Sequence, residues 1–118
     1  SRLINTVDGT IYEPGVVEFC EGRFPCTSKL PEGTKVKVSI DFDDVELTDD
    51  EEDGVIGANV TQILYKGTYY QVQIYTDTDE DFYIDTTDEW DIDDRVGVKV
   101  LADKIKVEKA EETEDEEV

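Results

Sequence analysis

Two stretches of the chain, KVKVSIDFDDVEL (Lys35–Leu47) and RVGVKVLADKIKV (Arg95–Val107), match at one constant offset without a gap. Val36 aligns with Val96, Val38 with Val98, Ile40 with Val100, Asp43 with Asp103, Val45 with Ile105 and Leu47 with Val107. In each copy the apolar positions alternate, step across an Asp-containing corner, and alternate again. Period two places successive side chains on opposite faces of a strand, so each copy reads as strand, tight corner and short second strand. Asp43 and Asp103 are expected to satisfy backbone N–H groups at those corners. A chain that repeats this unit is built from two related β units.

The rest of the sequence agrees. QVQIY and DFYID alternate in the same way and are rich in Val, Ile, Tyr and Thr, and helical periodicity is nearly absent. Turn signals at Asp8-Gly9, Pro14-Gly15, Glu21-Gly22, Pro31-Glu32-Gly33, Lys66-Gly67 and the 77–80 stretch lie close together. Strands are expected near Gly9–Tyr12, Val16–Cys20, Phe24–Cys26, Lys35–Asp41, Val45–Leu47, Gly54–Tyr65, Thr68–Tyr75, Phe82–Asp85, Arg95–Leu101 and Ile105–Glu108. The fold class is all-β: small OB-like barrels of short antiparallel strands with an internal repeat. Residues 1–110 form that domain, in two β lobes joined by a mobile acidic linker at 48–54. Residues 111–118, a run of like charges with almost nothing to bury, read as a disordered tail.

Charge narrows the function classes. A net charge of −21 over 118 residues repels phosphate backbones and anionic headgroups, so nucleic acid is excluded as a partner and cations or basic surfaces are favoured. No apolar run reaches the ~20 residues of a membrane span, and the chain reads as cytosolic without membrane insertion. It contains no Met, and Ser1 reads as a processed or internal start within a larger protein. Cys20 and Cys26 are the only cysteines. With Glu21-Gly22 as a two-residue loop, Cys20 pairs with Arg23, Phe19 with Phe24 and Val17 with Cys26, which puts the thiols on opposite faces and leaves both free. Without His or a second cysteine pair, no zinc site is expected.

The repeated unit, with its EGTKVKV and IDDRVGV entries, together with GVIGANVTQILYKGTYYQVQIYT and DDRVGVKVLADKIKVEK, resembles the transport-associated OB (TOBE) domain. That domain closes the ATP-binding subunits of ABC importers, and the resemblance is nearest the spermidine/putrescine type. VDGTIYEPGVVEFCEGRFPC and GTKVKVSIDFDDVEL are similar to the segment following the nucleotide-binding domain, so the likeness spans almost everything before the acidic tail. It implies a regulatory and dimerisation domain of a homodimeric ATPase subunit bound to membrane permease subunits, with ATP and Mg held elsewhere in the parent. The family's first corner usually reads Arg-Pro-Glu-Asp, whereas this chain has Asp41-Phe42-Asp43-Asp44, and Leu101-Ala102-Asp103-Lys104 at the second. Contacts made through that Arg are therefore not carried over. The chain has no G-x-x-x-x-G-K-[ST] loop and no His, so neither ATP hydrolysis nor any bound cofactor is expected of it.

DTDEDFYIDTTD, from Asp77 to Asp88, is the strongest candidate site in the residues themselves. Asp77, Asp79 and Asp81 alternate as calcium-loop ligands do. Phe82 then stands where the loop needs Gly, and the shorter Asp88 stands where it needs a bidentate Glu, so no metal site is assigned. A polyamine is a second ligand class: Asp77, Asp79, Asp81 and Asp88 offer carboxylates for ammonium groups, and Tyr83 and Trp90 offer aromatic faces. These residues form the candidate polyamine or cation face of a stand-alone binding module, the alternative to the importer domain. They also read as packing aromatics and a solvated acidic edge that blocks strand association.

Overall fold

The computed structural model describes residues 3–111. Among the described residues there are ten strands: β1 (Ile4–Glu13), β2 (Val16–Phe19), β3 (Gly22–Pro25), β4 (Lys35–Asp41), β5 (Glu46–Thr48), β6 (Ile56–Tyr65), β7 (Tyr70–Thr76), β8 (Asp81–Thr86), β9 (Arg95–Lys99) and β10 (Lys106–Lys109). They form two five-stranded sheets, in the orders β10-β4-β1-β2-β3 and β5-β9-β6-β7-β8, with antiparallel pairing throughout. The all-β, OB-like architecture expected from the alternation is the one observed.

The repeated unit explains how the two sheets are joined. Each copy is a strand, a single 3-10 turn (Phe42–Asp44 or Ala102–Lys104), and a short strand that crosses into the other sheet. β5 pairs with β9, and β10 pairs with β4. The registers are reciprocal: Leu47 lies opposite Val98 as Val107 lies opposite Val38. Each half therefore closes the other's sheet. Asp43 and Asp103 do not cap these corners as expected. Backbone bonds close the second one, from Lys104 N to the Leu101 carbonyl at 2.9 Å and from Ile105 N to the Ala102 carbonyl at 3.4 Å.

The inward rows meet in one core, with Val17, Phe24, Val36, Val38, Val60, Val72, Ile74 and Val96 among its fully buried members. Phe19 stacks on Phe24 at 4.1 Å and reaches Phe82 of the other sheet at 6.5 Å, so burial couples the sheets as well as the strand exchange does.

Two local expectations are corrected. The β2–β3 turn is Cys20-Glu21, both at positive φ (52° and 62°), and it pairs Phe19 with Gly22 and Val17 with Phe24. Gly22 is drawn into the strand because a Cβ there would collide with Ile56 Cγ2. The slip is two residues, so the faces are unchanged: Cys26 is buried, Cys20 is half-buried, and both thiols are free. Segment 48–54, presented by the sequence as a mobile linker, contains a 3-10 turn (Glu51–Asp53) and is tied down at both ends. Thr48 Oγ1 donates to the Asp50 carbonyl at 2.6 Å, and Val55 N donates to the Val98 carbonyl at 2.7 Å. Of the 111–118 tail, only Glu111 lies within the described residues.

Candidate functional site

β8 carries the candidate acids at its two ends, and the chemistry of those ends differs. At the first end, Thr76 shapes the turn out of β7. Its backbone N–H donates to the Glu80 carbonyl at 2.8 Å, and its hydroxyl accepts from Glu80 N at 3.0 Å. That turn puts Asp79 at φ 70° and delivers Asp77 to Arg95. The guanidinium donates to both Asp77 oxygens (2.8 and 2.6 Å), both Glu51 oxygens (2.7 and 3.0 Å) and Asn59 Oδ1 (3.0 Å). Gly57 leaves room for it, since a Cβ there would strike Arg95 Nη2. Hydrogen bonding to Arg95 holds the carboxyls of Asp77 and Glu51 below their ordinary range, and the two carboxylates hold the guanidinium protonated.

The other two tip acids are also engaged. Asp79 accepts from the Tyr75 hydroxyl at 3.0 Å, which raises that phenol's pKa, and Asp81 accepts from Gln73 Nε2 at 3.1 Å. Asp77, Asp79 and Asp81 are thus each hydrogen-bonded within the fold, Asp77 to a cation and the other two to neutral side chains. Among the described residues, no group of three or more potential ligands is arranged to hold a metal ion.

The second end lies about 17 Å away along β8. Here the corner after β4 meets the outer edge of β8, and Phe42 stacks on Tyr83 at 5.4 Å. Asn5 fixes that edge: its side chain donates to the Tyr83 carbonyl at 2.9 Å and accepts from Tyr83 N at 2.8 Å. A groove of about 230 Å³ runs between Leu3, Asp41, Phe42, Asp43 and Asp85. Through Asp43 and Asp85 it continues into one of about 330 Å³ that reaches Glu46, Asp88 and Trp90. Trp90 packs partly against the core while lining this groove.

The six residues singled out in the sequence therefore divide. Asp88 and Trp90 line the groove, Tyr83 reaches it only by stacking on Phe42, and Asp77, Asp79 and Asp81 do not reach it. Asp41, Phe42, Asp43, Glu46 and Asp85 join the first three, and sequence reasoning missed them as site residues. The signal for them was the corner itself, where a motif expected to carry Arg and Pro instead reads Asp-Phe-Asp-Asp. Chemically, the groove sets carboxylates beside aromatic faces, which suits a flexible organic cation.

Known proteins place the chain. No family model matches it. It is 44% identical over 108 residues, 90% of its length, to the spermidine/putrescine import ATP-binding protein PotA of Bacteroides thetaiotaomicron. It is 41% identical over the same length to PotA of Bacteroides fragilis. The chain spans 23% of the length of each relative. A crystal structure of the cytoplasmic molybdate-binding protein ModG with molybdate bound has the same fold, with a TM-score of 0.76 over 90% of this chain and 96% of that one, at 12% identity. The chain is therefore similar, over most of its own length, to a part of the spermidine/putrescine import ATP-binding proteins, and it shares the OB-like fold of the molybdate-binding protein.

Proposed function

We propose that the chain is the C-terminal regulatory and dimerisation domain of the ATP-binding subunit of a polyamine importer. The observation that carries this reading is identity above 40% across 90% of the chain to two import ATP-binding proteins. The parent subunit hydrolyses ATP with Mg at a site outside this chain, and it works at the cytoplasmic face of the membrane against permease subunits. This domain contributes contacts and not chemistry. Its sequence holds no phosphate-binding loop with which to cradle a triphosphate. The test is the reading frame upstream of Ser1, which should encode a G-x-x-x-x-G-K-[ST] loop, while the 118-residue chain alone should leave ATP intact. A frame without that loop overturns the reading.

The groove favours a second reading, capture of the polyamine by this domain itself. Asp43, Glu46, Asp85 and Asp88 would take the ammonium groups, with Phe42 and Trp90 against the methylene spacers. Calorimetry with spermidine at physiological salt should give saturable heat that Asp85→Asn reduces. Heat that vanishes with modest added salt in both proteins would mean only counterion exchange with an acidic surface.

A further inference from the structure

The two halves differ in the hairpin that follows each first strand. In the first half, Ile11 bonds to the segment before β4, accepting from Gly33 N and donating to the Thr34 carbonyl. In the second, Val60 makes the equivalent bonds with Asp93 and Asp94. Each strand then bulges, between Ile11 and Glu13 or between Val60 and Gln62. Beyond the bulge the first hairpin turns at once, and its edge is closed by bonds from Gly15 N to the Ser28 carbonyl and from Cys26 N to the Gly15 carbonyl. The second hairpin runs on through Ile63–Val72, Leu64–Gln71 and Tyr65–Tyr70, whereas β9 stops pairing at Asn59. β6 is left with an open edge.

The register shows which groups lie on that edge. Lys66 N donates to the Tyr69 carbonyl at 2.8 Å, so the alternation of antiparallel ladders assigns Leu64 and Gln62 to bonds with β7 and turns the N–H and C=O of Ile63 and Tyr65 outward. Leu64 and Tyr65 are 55% and 62% exposed. In a chain with 32 acidic residues, none falls between Gly54 and Thr76.

We propose that this arm pairs antiparallel with the same arm of a second copy of the chain. A twofold axis through Leu64 sets Ile63 opposite the partner's Tyr65, exchanging both backbone bonds on each side, and brings the two Leu64 side chains together. Gln62 then faces the partner's Lys66, and no carboxylate faces another. Charge selects this occupant. Two chains of −21 repel wherever acids meet and can approach along an acid-free edge, whereas a basic partner would be drawn to the acidic surfaces instead. The proposal gives the dimer contact of the importer reading a location and rests on that reading for its role. In the parent subunit the rest of the dimer would raise the effective concentration of the two arms.

Sedimentation of the 118-residue chain tests it. The dimer fraction should rise with protein concentration and also with salt between about 0.05 and 0.5 M, because screening relieves the repulsion. Leu64→Asp, which sets like charges face to face, and Tyr65→Pro, which removes an outward N–H that β7 does not use, should each lower the association constant at least about tenfold. Circular dichroism and the thermal midpoint of the monomer report whether each variant keeps the fold. A chain that stays monomeric at every salt concentration, or a dimer indifferent to both variants, overturns the proposal. Neither result touches the importer reading, which stands or falls on the upstream phosphate loop.

Discussion

Asn5 hydrogen-bonds β1 of the first sheet to β8 at the edge of the second, and replacing it by Ala tests how far that edge depends on it. Its side chain is 6% exposed and gives one bond to each backbone polar group of Tyr83, 78 residues away in sequence. Asn5→Ala leaves the Tyr83 N–H and C=O unpaired, and an unsatisfied buried group costs about 1–3 kcal/mol. Tyr83 is half-buried, so water recovers part of that loss. The bottom of the range, about 1–1.5 kcal/mol, applies to each group, giving about 2–3 kcal/mol in all. For a domain of this size the midpoint of thermal unfolding should fall by about 8–15 °C. Urea titration should show a lower midpoint at unchanged slope, since the surface exposed on unfolding is the same. Asn5→Asp should lose nearly as much, because a carboxylate accepts from the N–H but donates nothing to the carbonyl. A loss under about 0.5 kcal/mol, the level of an ordinary surface substitution, would refute the assignment of Asn5 as the tie between β1 and β8.

Arg95→Met should destabilise the chain at neutral pH. Because Asp77 and Glu51 have depressed folded pKa values, the stability they supply is present above the ordinary carboxylate range and lost as pH falls through the folded values. The gap between wild type and variant should therefore narrow below about pH 4, as read by urea titrations across pH. Phe24→Ala, at a fully buried ring stacked on Phe19, should cost about 3–5 kcal/mol in the same assay. Burial pushes the Cys20 thiol pKa up, so maleimide labelling of Cys20 near neutral pH should be slower than that of a free cysteine and should accelerate on unfolding. Truncation before β10 should speed amide exchange in β4, its partner in the other half, more than in β9.

The alternation of Val, Ile and Tyr with polar residues was enough to read ten strands from the sequence, because a strand half-buried against a core must alternate. It missed the first five residues of β1 (4–8), where one inward position is Asn5, a polar residue serving an edge that sequence patterns do not reveal. It also could not show that β5 and β10 are exchanged. The repeat encodes a strand, corner and strand, but which sheet receives the second strand depends on contacts between residues far apart in the chain. The β2–β3 register was misread for a related reason: turn chemistry favoured Gly22 in the loop, while packing against Ile56 demanded the missing Cβ in the strand. At the candidate site, the sequence grouped Asp77, Asp79, Asp81 and Asp88 together. The length of β8 then separated them, and Arg95, distant in sequence, claimed Asp77.

The central claim, that this domain regulates an import ATPase and does no chemistry itself, is tested most directly in the whole subunit assembled with its permease. ATP hydrolysis and spermidine uptake would be measured with and without residues 1–118. The account predicts that the truncated subunit still hydrolyses ATP, while hydrolysis loses its dependence on transport and uptake falls. Unchanged uptake and unchanged coupling after the deletion would contradict it.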